Sequence, residues 1–221
     1  MNTDLPIYLT PGLGADYRVF TGLKDQGLQF KVLEFVDPDP KEPLVEYALR
    51  LAQQIDTSKP FVLGGMSLGG MMATEIAKVH PPEKLFLISS VPTSGEIPFY
   101  LRASRYIPVH RLFKGTHIKK YFPRSKPKDE QILALLRAQR EDADPFFLEW
   151  AIRAVLNWRN REIPPEMVRI HGTRDILFPG VLCGPRIKIS KGKHVMVLVQ
   201  AEEVYQLIAE ELKMVHQNFI S

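Results

Sequence analysis

The hydrophobic pattern of the chain alternates between short, almost continuous apolar runs and longer amphipathic stretches. Runs rich in β-branched and aromatic residues predict strands, and apolar residues at three- and four-residue spacing predict helices. The six predicted strands are residues 5–10, 29–36, 61–63, 84–91, 167–171 and 186–190. Strands that alternate with helices are typical of a mostly parallel sheet covered on both faces, so we predict an α/β fold of three layers.

Helical spacing connects the first strands and closes the chain. The predicted helices among the first strands are 17–27, 43–55 and 71–79. A last helix over 201–219 has one apolar face, formed by Val204, Ile208, Leu212, Val215 and Phe219. With helices between successive strands, the sheet is expected to be doubly wound.

The alternation stops for about seventy residues in the middle of the chain. Helix-like segments replace it at 99–113, 129–140 and 146–158. The last is the clearest, because Asp144 suits an N-cap and Pro145 the first helical position. We therefore predict a core made of residues 1–92 and 163–221, with a helical insertion, residues 93–162, between the fourth and fifth core strands.

A chain of 221 residues suits one domain that carries an insertion. Its start lacks the basic and then apolar pattern of a leader, and no run approaches a membrane span, so we predict a cytoplasmic protein without integral membrane contact. The single cysteine, Cys183, excludes an internal disulfide and a cysteine-based metal site. We interpret it as a small apolar filler.

The formal charge of +4 is concentrated in one segment. Residues 97–128 contain nine lysines and arginines and no acidic residue, and without these nine the chain has 20 basic against 25 acidic residues. Such a segment is most often a solvated surface, but it also suits an anionic substrate or contact with a membrane surface or nucleic acid. We predict a small-molecule partner and no nucleic-acid partner, and the oligomeric state stays open.

The third predicted strand runs into Gly65-Met66-Ser67-Leu68-Gly69 and then into a helix. A serine on so sharp a strand-to-helix turn is held in a strained backbone, with its side chain at the head of the helix. This setting distinguishes a nucleophile from a serine in an ordinary turn. We therefore predict that Ser67 is a nucleophile.

Polar side chains that follow two later strands complete a mechanism. Asp175 follows the fifth predicted strand and His194 the sixth. The carboxyl ends of parallel strands share one edge, so His194 can be the base for Ser67 and Asp175 can orient the imidazole. The backbone N–H groups of Leu13, in the glycine turn after the first strand, and of Leu68 are the predicted oxyanion donors.

These segments resemble the α/β-hydrolase family. Residues 11–20 are similar to its oxyanion turn, 64–70 to its nucleophile elbow, 171–179 to the segment that carries the acid, and 192–194 to the histidine segment. The family often has His-Gly where this chain has Pro11-Gly12, and the chain begins directly on the strand that leads to this turn. The resemblance implies a reduced core of about six parallel strands, with residues 93–162 as a helical lid.

The predicted function is a serine hydrolase that cleaves a carboxylic ester or thioester through an acyl-enzyme, with no cofactor and no metal. Alternatives are a ligand-binding or signalling protein with negligible turnover, and cofactor-free lyase or oxygenase chemistry. His171 is interpreted as a strand-end residue and not as a second base. The residues predicted to form the substrate pocket are Met66, beside the nucleophile, and the lid aromatics Tyr100, Phe146, Trp150 and Trp158.

Overall fold

The computed structural model describes residues 5–103, 130–179, 184 and 187–220. Six parallel strands form one sheet in the order β2-β1-β3-β4-β5-β6. Their bounds are β1 Ile7–Thr10, β2 Lys31–Val32, β3 Val62–Met66, β4 Lys84–Ile88, β5 Met167–Gly172 and β6 Ile187–Ile189. The predicted parallel sheet of six strands is confirmed.

Helices cover both faces of this sheet. Their bounds are α1 Thr21–Asp25, α2 Leu44–Leu51, α3 Leu68–Val79, α4 Phe99–Ala103, α5 Glu130–Asp142, α6 Pro145–Asn157, α7 Met196–Val199 and α8 Ala201–Ile220. Neighbouring strand residues point to opposite faces, so Leu63 packs with the cluster that includes α2, α3 and α6, and Val62 with the one that includes α1 and α8. The doubly wound arrangement of three layers is thereby confirmed.

The strand register brings the carboxyl ends of four strands to one edge. Thr10 of β1 pairs with Gly65 of β3, and Met66 pairs with Ile88 of β4. Ile88 in turn is aligned with Ile170 of β5. Every segment that follows these strands, including the one that begins at Ser67, therefore starts at the same edge of the sheet.

The second strand is shorter than the sequence predicts. Only Lys31–Val32 pairs with β1, whereas the apolar run predicts a strand over 29–36. The N–H of Leu33 still donates to Leu9 O of β1 at 2.9 Å. After it, backbone N–H groups donate to side chains: that of Glu34 to Gln54 Oε1 at 2.9 Å and that of Val36 to the Tyr47 hydroxyl at 3.1 Å. The edge strand thus ends where side chains of the following helical segment, and no longer the backbone of β1, accept its N–H groups.

The two ends of residues 93–162 lie side by side on the core. Asn160 Nδ2 donates to Pro92 O at 2.7 Å, and the N–H of Ser94 donates to Asn160 O at 2.9 Å. From α3, Lys78 Nζ donates to Asn160 Oδ1 at 3.0 Å, and Glu75 accepts the indole N–H of Trp158 at 2.6 Å. Both ends of residues 93–162 are therefore hydrogen-bonded to each other, and the later end is also bonded to α3.

Part of the predicted insertion lies outside the described residues. This part, 104–129, holds most of the predicted helix 99–113 and every basic residue of the 97–128 segment except Arg102. Cys183 lies outside them as well. The two later helices of the insertion agree with prediction: α5 spans Glu130–Asp142, and α6 starts at Pro145 with Asp144 Oδ1 and Oδ2 accepting the N–H groups of Phe146 and Phe147. Among the described helices, none combines the length and apolarity required to cross a membrane.

Candidate active site

Ser67 sits in a strained backbone between β3 and α3. Its φ of 53° and ψ of −119° lie in a region that side-chain-bearing residues rarely adopt. The chain is held there because the Ser67 N–H donates to Ile88 O at 3.0 Å and the Ser90 hydroxyl donates to Ser67 O at 2.6 Å. The backbone therefore has the sharp turn that the sequence predicts at this position.

The turn brings the start of α3 against the end of β1. A Cβ atom built at Gly69 would lie 2.2 Å from Thr10 O and 2.3 Å from Pro11 O, closer than real Cβ atoms come. A residue without a side chain is therefore required at position 69. The contact places the segment that follows β1 directly beside Ser67.

Three polar side chains meet at this edge. The Ser67 Oγ lies 2.9 Å from His194 Nε2, and His194 Nδ1 lies 2.9 Å from Asp175 Oδ2. An Asp carboxylate beside Nδ1 fixes the tautomer with the proton on Nδ1, so Nε2 is left to accept from the Ser67 hydroxyl. The structure thus joins in one hydrogen-bonded chain the residues that the sequence predicts as nucleophile, base and acid.

The Asp175 carboxylate is fully buried and held by four hydrogen-bonding groups or charges. Its Oδ1 accepts the N–H groups of Leu177 at 2.9 Å and Phe178 at 3.1 Å. Burial raises the pKa of this carboxyl, but the hydrogen bond and charge of His194, the Phe178 N–H and the charge of His171 outweigh it, and the pKa lies below its usual value of 3.8. Asp175 is therefore ionised throughout the neutral range.

Because the pKa of Asp175 is lowered in the folded protein, the stability of the protein should depend on pH in acid. A carboxyl whose pKa is depressed by folding stabilises the folded state above its unfolded pKa, and that contribution is lost as the pH falls through the folded value. We expect the free energy of unfolding of the wild type to fall, relative to Asp175→Asn, as the pH drops below 3.8. Urea unfolding of both proteins between pH 7 and pH 2 measures this, and parallel curves would contradict it.

The turn after β1 lies beside the nucleophile. A Cβ atom built at Gly12 would be 3.4 Å from the Ser67 Cβ, and the Ala15 N–H donates to Gly12 O at 3.1 Å. Gly14 has a φ of 66°, which favours glycine, whereas Gly12 does not have a positive φ. Within the described part of the chain, the N–H groups of Leu13 and Leu68 have no hydrogen-bond acceptor.

Three further residues support the site and were not predicted. Ser90 holds the Ser67 carbonyl, as described above. The Phe178 ring packs against the His194 imidazole with 5.6 Å between ring centroids, and the fully buried His171 has its Nε2 4.0 Å from Asp175 Oδ2, too far for a hydrogen bond. Their position directly after β4 or in and after β5 was the available signal, but a sequence does not show which of these side chains turns inward.

The predicted pocket residues differ in burial and in surroundings. Met66 is buried, with its Sδ 3.8 Å from a Cβ built at Gly12, and Tyr100 is half-exposed with its hydroxyl donating to Ile176 O at 3.2 Å, one residue after Asp175. Phe146 is half-exposed. Trp150 and Trp158 are buried core residues. The indole N–H of Trp150 donates to Glu42 O at 2.9 Å, and that of Trp158 donates to Glu75 Oε1 at 2.6 Å.

A cavity of about 190 Å³ lies between the turn after β1 and the described helices of the 93–162 segment. The Gly14–Asp16 side belongs to that turn, and the opposite walls come from α5, α6 and the chain after β2. The lining residues are Gly14, Ala15, Asp16, Phe35, Val36, Asp37, Gln139, Asp142, Ala143, Asp144, Phe147 and Leu148. The lining combines apolar and acidic side chains: Leu148 and Phe147, which stacks on Phe35 at 4.7 Å between centroids, and four aspartates.

Within the described ranges, no group of three or more histidine, cysteine, aspartate or glutamate side chains is arranged to hold a metal ion. The titratable side chains that do converge, Ser67, His194 and Asp175, form a linear chain of hydrogen bonds instead.

Solved structures with the same architecture cover nearly the whole chain. A thermophilic esterase from Thermogutta terrifontis is 21% identical with a TM-score of 0.72, over 96% of this chain and 90% of that one. MenH from S. aureus is 18% identical with a TM-score of 0.72, over 97% and 96%. An esterase from Exiguobacterium antarcticum is 16% identical with a TM-score of 0.68, over 95% and 92%.

These similarities define the fold: the chain has the α/β-hydrolase fold, as its motifs predict. The likeness lies in structure and not in sequence, since no protein-family model matches the chain and no curated protein is similar to it in sequence. The comparisons thus show the fold of the chain, whereas the candidate roles of individual residues depend on the geometry described above.

Proposed function

We propose that this protein is a serine hydrolase that cleaves a carboxylic ester or thioester through an acyl-enzyme intermediate. The observation that carries the proposal is the pair of 2.9 Å contacts that link Ser67 Oγ, His194 and Asp175. A serine hydroxyl is a weak nucleophile at neutral pH unless a base takes its proton as it attacks. The three side chains supply that base and hold it in the useful tautomer.

The chemistry follows from which proton moves at each step. Ser67 Oγ attacks the substrate carbonyl while its proton passes to His194 Nε2, and the imidazolium is stabilised by the Asp175 carboxylate. The N–H groups of Leu13 and Leu68 would bind the resulting oxyanion, and Leu68 is well suited because it begins a 12-residue helix whose N-terminus carries partial positive charge. His194 then protonates the leaving alcohol or thiol, and water releases the acyl group by the reverse sequence.

The cavity next to the oxyanion turn is the proposed site for part of the substrate. Gly14 is two residues from Gly12, so it lies within about 7 Å of it along the chain, and a Cβ atom built at Gly12 would lie 3.4 Å from the Ser67 Cβ. A dry cavity of roughly 150 Å³ is known to hold one benzene ring. A volume of about 190 Å³ therefore suits a short acyl chain or a single ring.

The charges around this cavity favour a neutral group. Asp16, Asp37, Asp142 and Asp144 line it, and Arg18 pairs with two of these four carboxylates, Asp16 and Asp142. The lining therefore remains acidic, and a carboxylate or phosphate placed there would meet like charge. An anionic substrate would have to place its charge elsewhere, and the basic residues that suggested one lie mostly at 104–129, outside the described residues. The names of two structural neighbours, both esterases, support ester cleavage as the reaction class.

Turnover on p-nitrophenyl esters of increasing acyl length tests the proposal. We expect sustained release of p-nitrophenol, with kcat/KM highest for short chains and falling beyond about six carbons, because a cavity of this size holds about one ring or its equivalent. A stoichiometric burst without further release would contradict it and would favour a ligand-binding protein instead.

A matched pair of variants tests the cavity itself. Ala143→Phe places a ring in the cavity and should lower kcat/KM for the four- and six-carbon esters more than for the acetate. Ala134→Phe adds the same ring to the exposed side of α5, where position 134 faces solvent, and is the control. An equal loss for all esters in Ala143→Phe would exclude the cavity as the acyl site.

A further inference from the structure

The turn after β1 is tied to the 93–162 segment by polar side chains. Gln139 of α5 is buried, with 4% of its surface exposed, and its Nε2 donates to Asp16 Oδ1 at 3.1 Å. Arg18 donates from Nη2 to Asp142 Oδ2 at 2.6 Å, at the end of the same helix. Two residues of α5 thus reach the segment that follows the oxyanion turn.

Asp16 is the centre of these contacts. Arg18 donates to it from Nε at 2.9 Å and from Nη2 at 2.6 Å, so the guanidinium binds one carboxylate with two nitrogens and still reaches Asp142. Asp16 also accepts the backbone N–H of Arg18 at 2.9 Å, which caps the 3₁₀ turn Tyr17–Phe20. One arginine therefore neutralises two carboxylates that would otherwise repel each other.

The same group adjoins the predicted oxyanion donor. Asp16 is three residues after Leu13, and the intervening turn is closed by the hydrogen bond from Ala15 N–H to Gly12 O. The pKa of Asp16, raised by partial burial, is lowered overall by hydrogen bonds from Arg18 and Gln139. The contacts therefore favour the ionised carboxylate, which is the state that binds the guanidinium at full strength.

We propose that Arg18 and Gln139 are positioning residues that fix the Pro11–Ala15 turn through Asp16, so that docking of α5 sets the direction of the Leu13 N–H. Oxyanion donors act because they are held in place before the reaction, and a small displacement weakens them. This inference rests on the proposed function, because it assigns the turn a role in transition-state binding. It makes α5 a component of the catalytic site and not only a cover over it.

Arg18 is the residue to change, since it does not line the cavity and its loss leaves direct substrate contacts in place. We expect Arg18→Ala to lower kcat about tenfold, less than the 10²- to 10³-fold cost of deleting one oxyanion donor, with KM changed less than twofold. Affinity for a boronic acid inhibitor, which mimics the tetrahedral oxyanion, should fall in parallel with kcat. Arg18→Lys should recover only part of the loss, because lysine has the charge but not the two-nitrogen fork.

Asp142→Asn is the milder second variant, and because the Asp142 carboxylate is exposed, we expect the variant to fold like the wild type. It should lower kcat about threefold, in proportion to the loss of one charged partner. Arg50→Ala is the matched control. Arg50 lies on α2, and its Nε and Nη2 make a similar two-nitrogen pair with the Glu42 carboxylate, each at 2.8 Å. Unchanged kcat and boronate affinity in Arg18→Ala, or a fall in thermal stability alone, would overturn the proposal.

Amide hydrogen exchange at Ala15 tests, independently of turnover, whether Arg18 fixes the Pro11–Ala15 turn. Its N–H closes the turn, so exchange should quicken at least fivefold in Arg18→Ala and remain unchanged in Arg50→Ala. If the wild type hydrolyses no ester, the proposed function fails while quicker exchange still supports the positioning contact. Unchanged exchange at Ala15 would refute the contact whatever the enzyme's activity.

Discussion

His194→Ala is expected to lose at least 10³-fold in kcat/KM for a short p-nitrophenyl ester. Among the described hydrogen bonds, Ser67 Oγ is bonded to the His194 imidazole, 2.9 Å from Nε2. Without it no base takes the serine proton, and no acid protonates the leaving group. Steady-state kinetics at pH 8 on the purified variant, with its folding checked by circular dichroism, measures the loss.

His171→Gln is the matched control for that experiment. His171 also lies beside Asp175, with Nε2 4.0 Å from Oδ2, so it is the other histidine close to the proposed acid. General bases contribute about 10²- to 10⁴-fold. We expect less than a tenfold loss in His171→Gln, and a loss as large as that of His194→Ala would show that the two histidines had been assigned wrongly.

Ser67→Ala is expected to abolish sustained turnover, with at least a 10³-fold loss of kcat, because the covalent route disappears and only binding and oxyanion stabilisation remain. Retained turnover within tenfold of the wild type would contradict the assignment of Ser67. Ser58→Ala, an exposed serine whose hydroxyl bonds only Asp56 among the described contacts, is the control and should keep full activity.

The strained backbone at Ser67 adds a stability comparison to this variant. Glycine adopts φ 53° and ψ −119° without the cost that a side chain imposes, whereas alanine retains that cost. Ser67→Gly should therefore be more stable than Ser67→Ala by about 1 kcal/mol or more, while both are inactive. Equal free energies of unfolding would show that the turn is not strained.

Much of the fold was predictable because the relevant signals are local. The apolar run at 61–63 followed by glycine, serine and a helical pattern defines a strand, a turn and a helix without distant information, and the structure has β3, Ser67 and α3 at that place. The order of Asp175 and His194 after later strands was enough to expect a shared edge. Parallel strands with short connections leave few other arrangements.

The parts that failed depend on partners far away in the sequence. The edge strand β2 is shorter than predicted because the Gln54 side chain and the Tyr47 hydroxyl accept the N–H groups of Glu34 and Val36, and neither partner is visible in residues 29–36. Trp150 has the aromatic character of a pocket residue, yet its indole is bonded to Glu42 O, 108 positions away. Likewise, the contact of Gln139 with Asp16 spans 123 positions and leaves no local pattern.

Labelling with a fluorophosphonate is the most direct test of Ser67 as the nucleophile. The reagent phosphonylates a serine that is activated by a neighbouring base, so peptide mass spectrometry should find one adduct on Ser67 in the wild type. The adduct should be absent from Ser67→Ala and much slower to form in His194→Ala. A wild-type protein that remains unlabelled, or an adduct on a different serine, would contradict the proposed function.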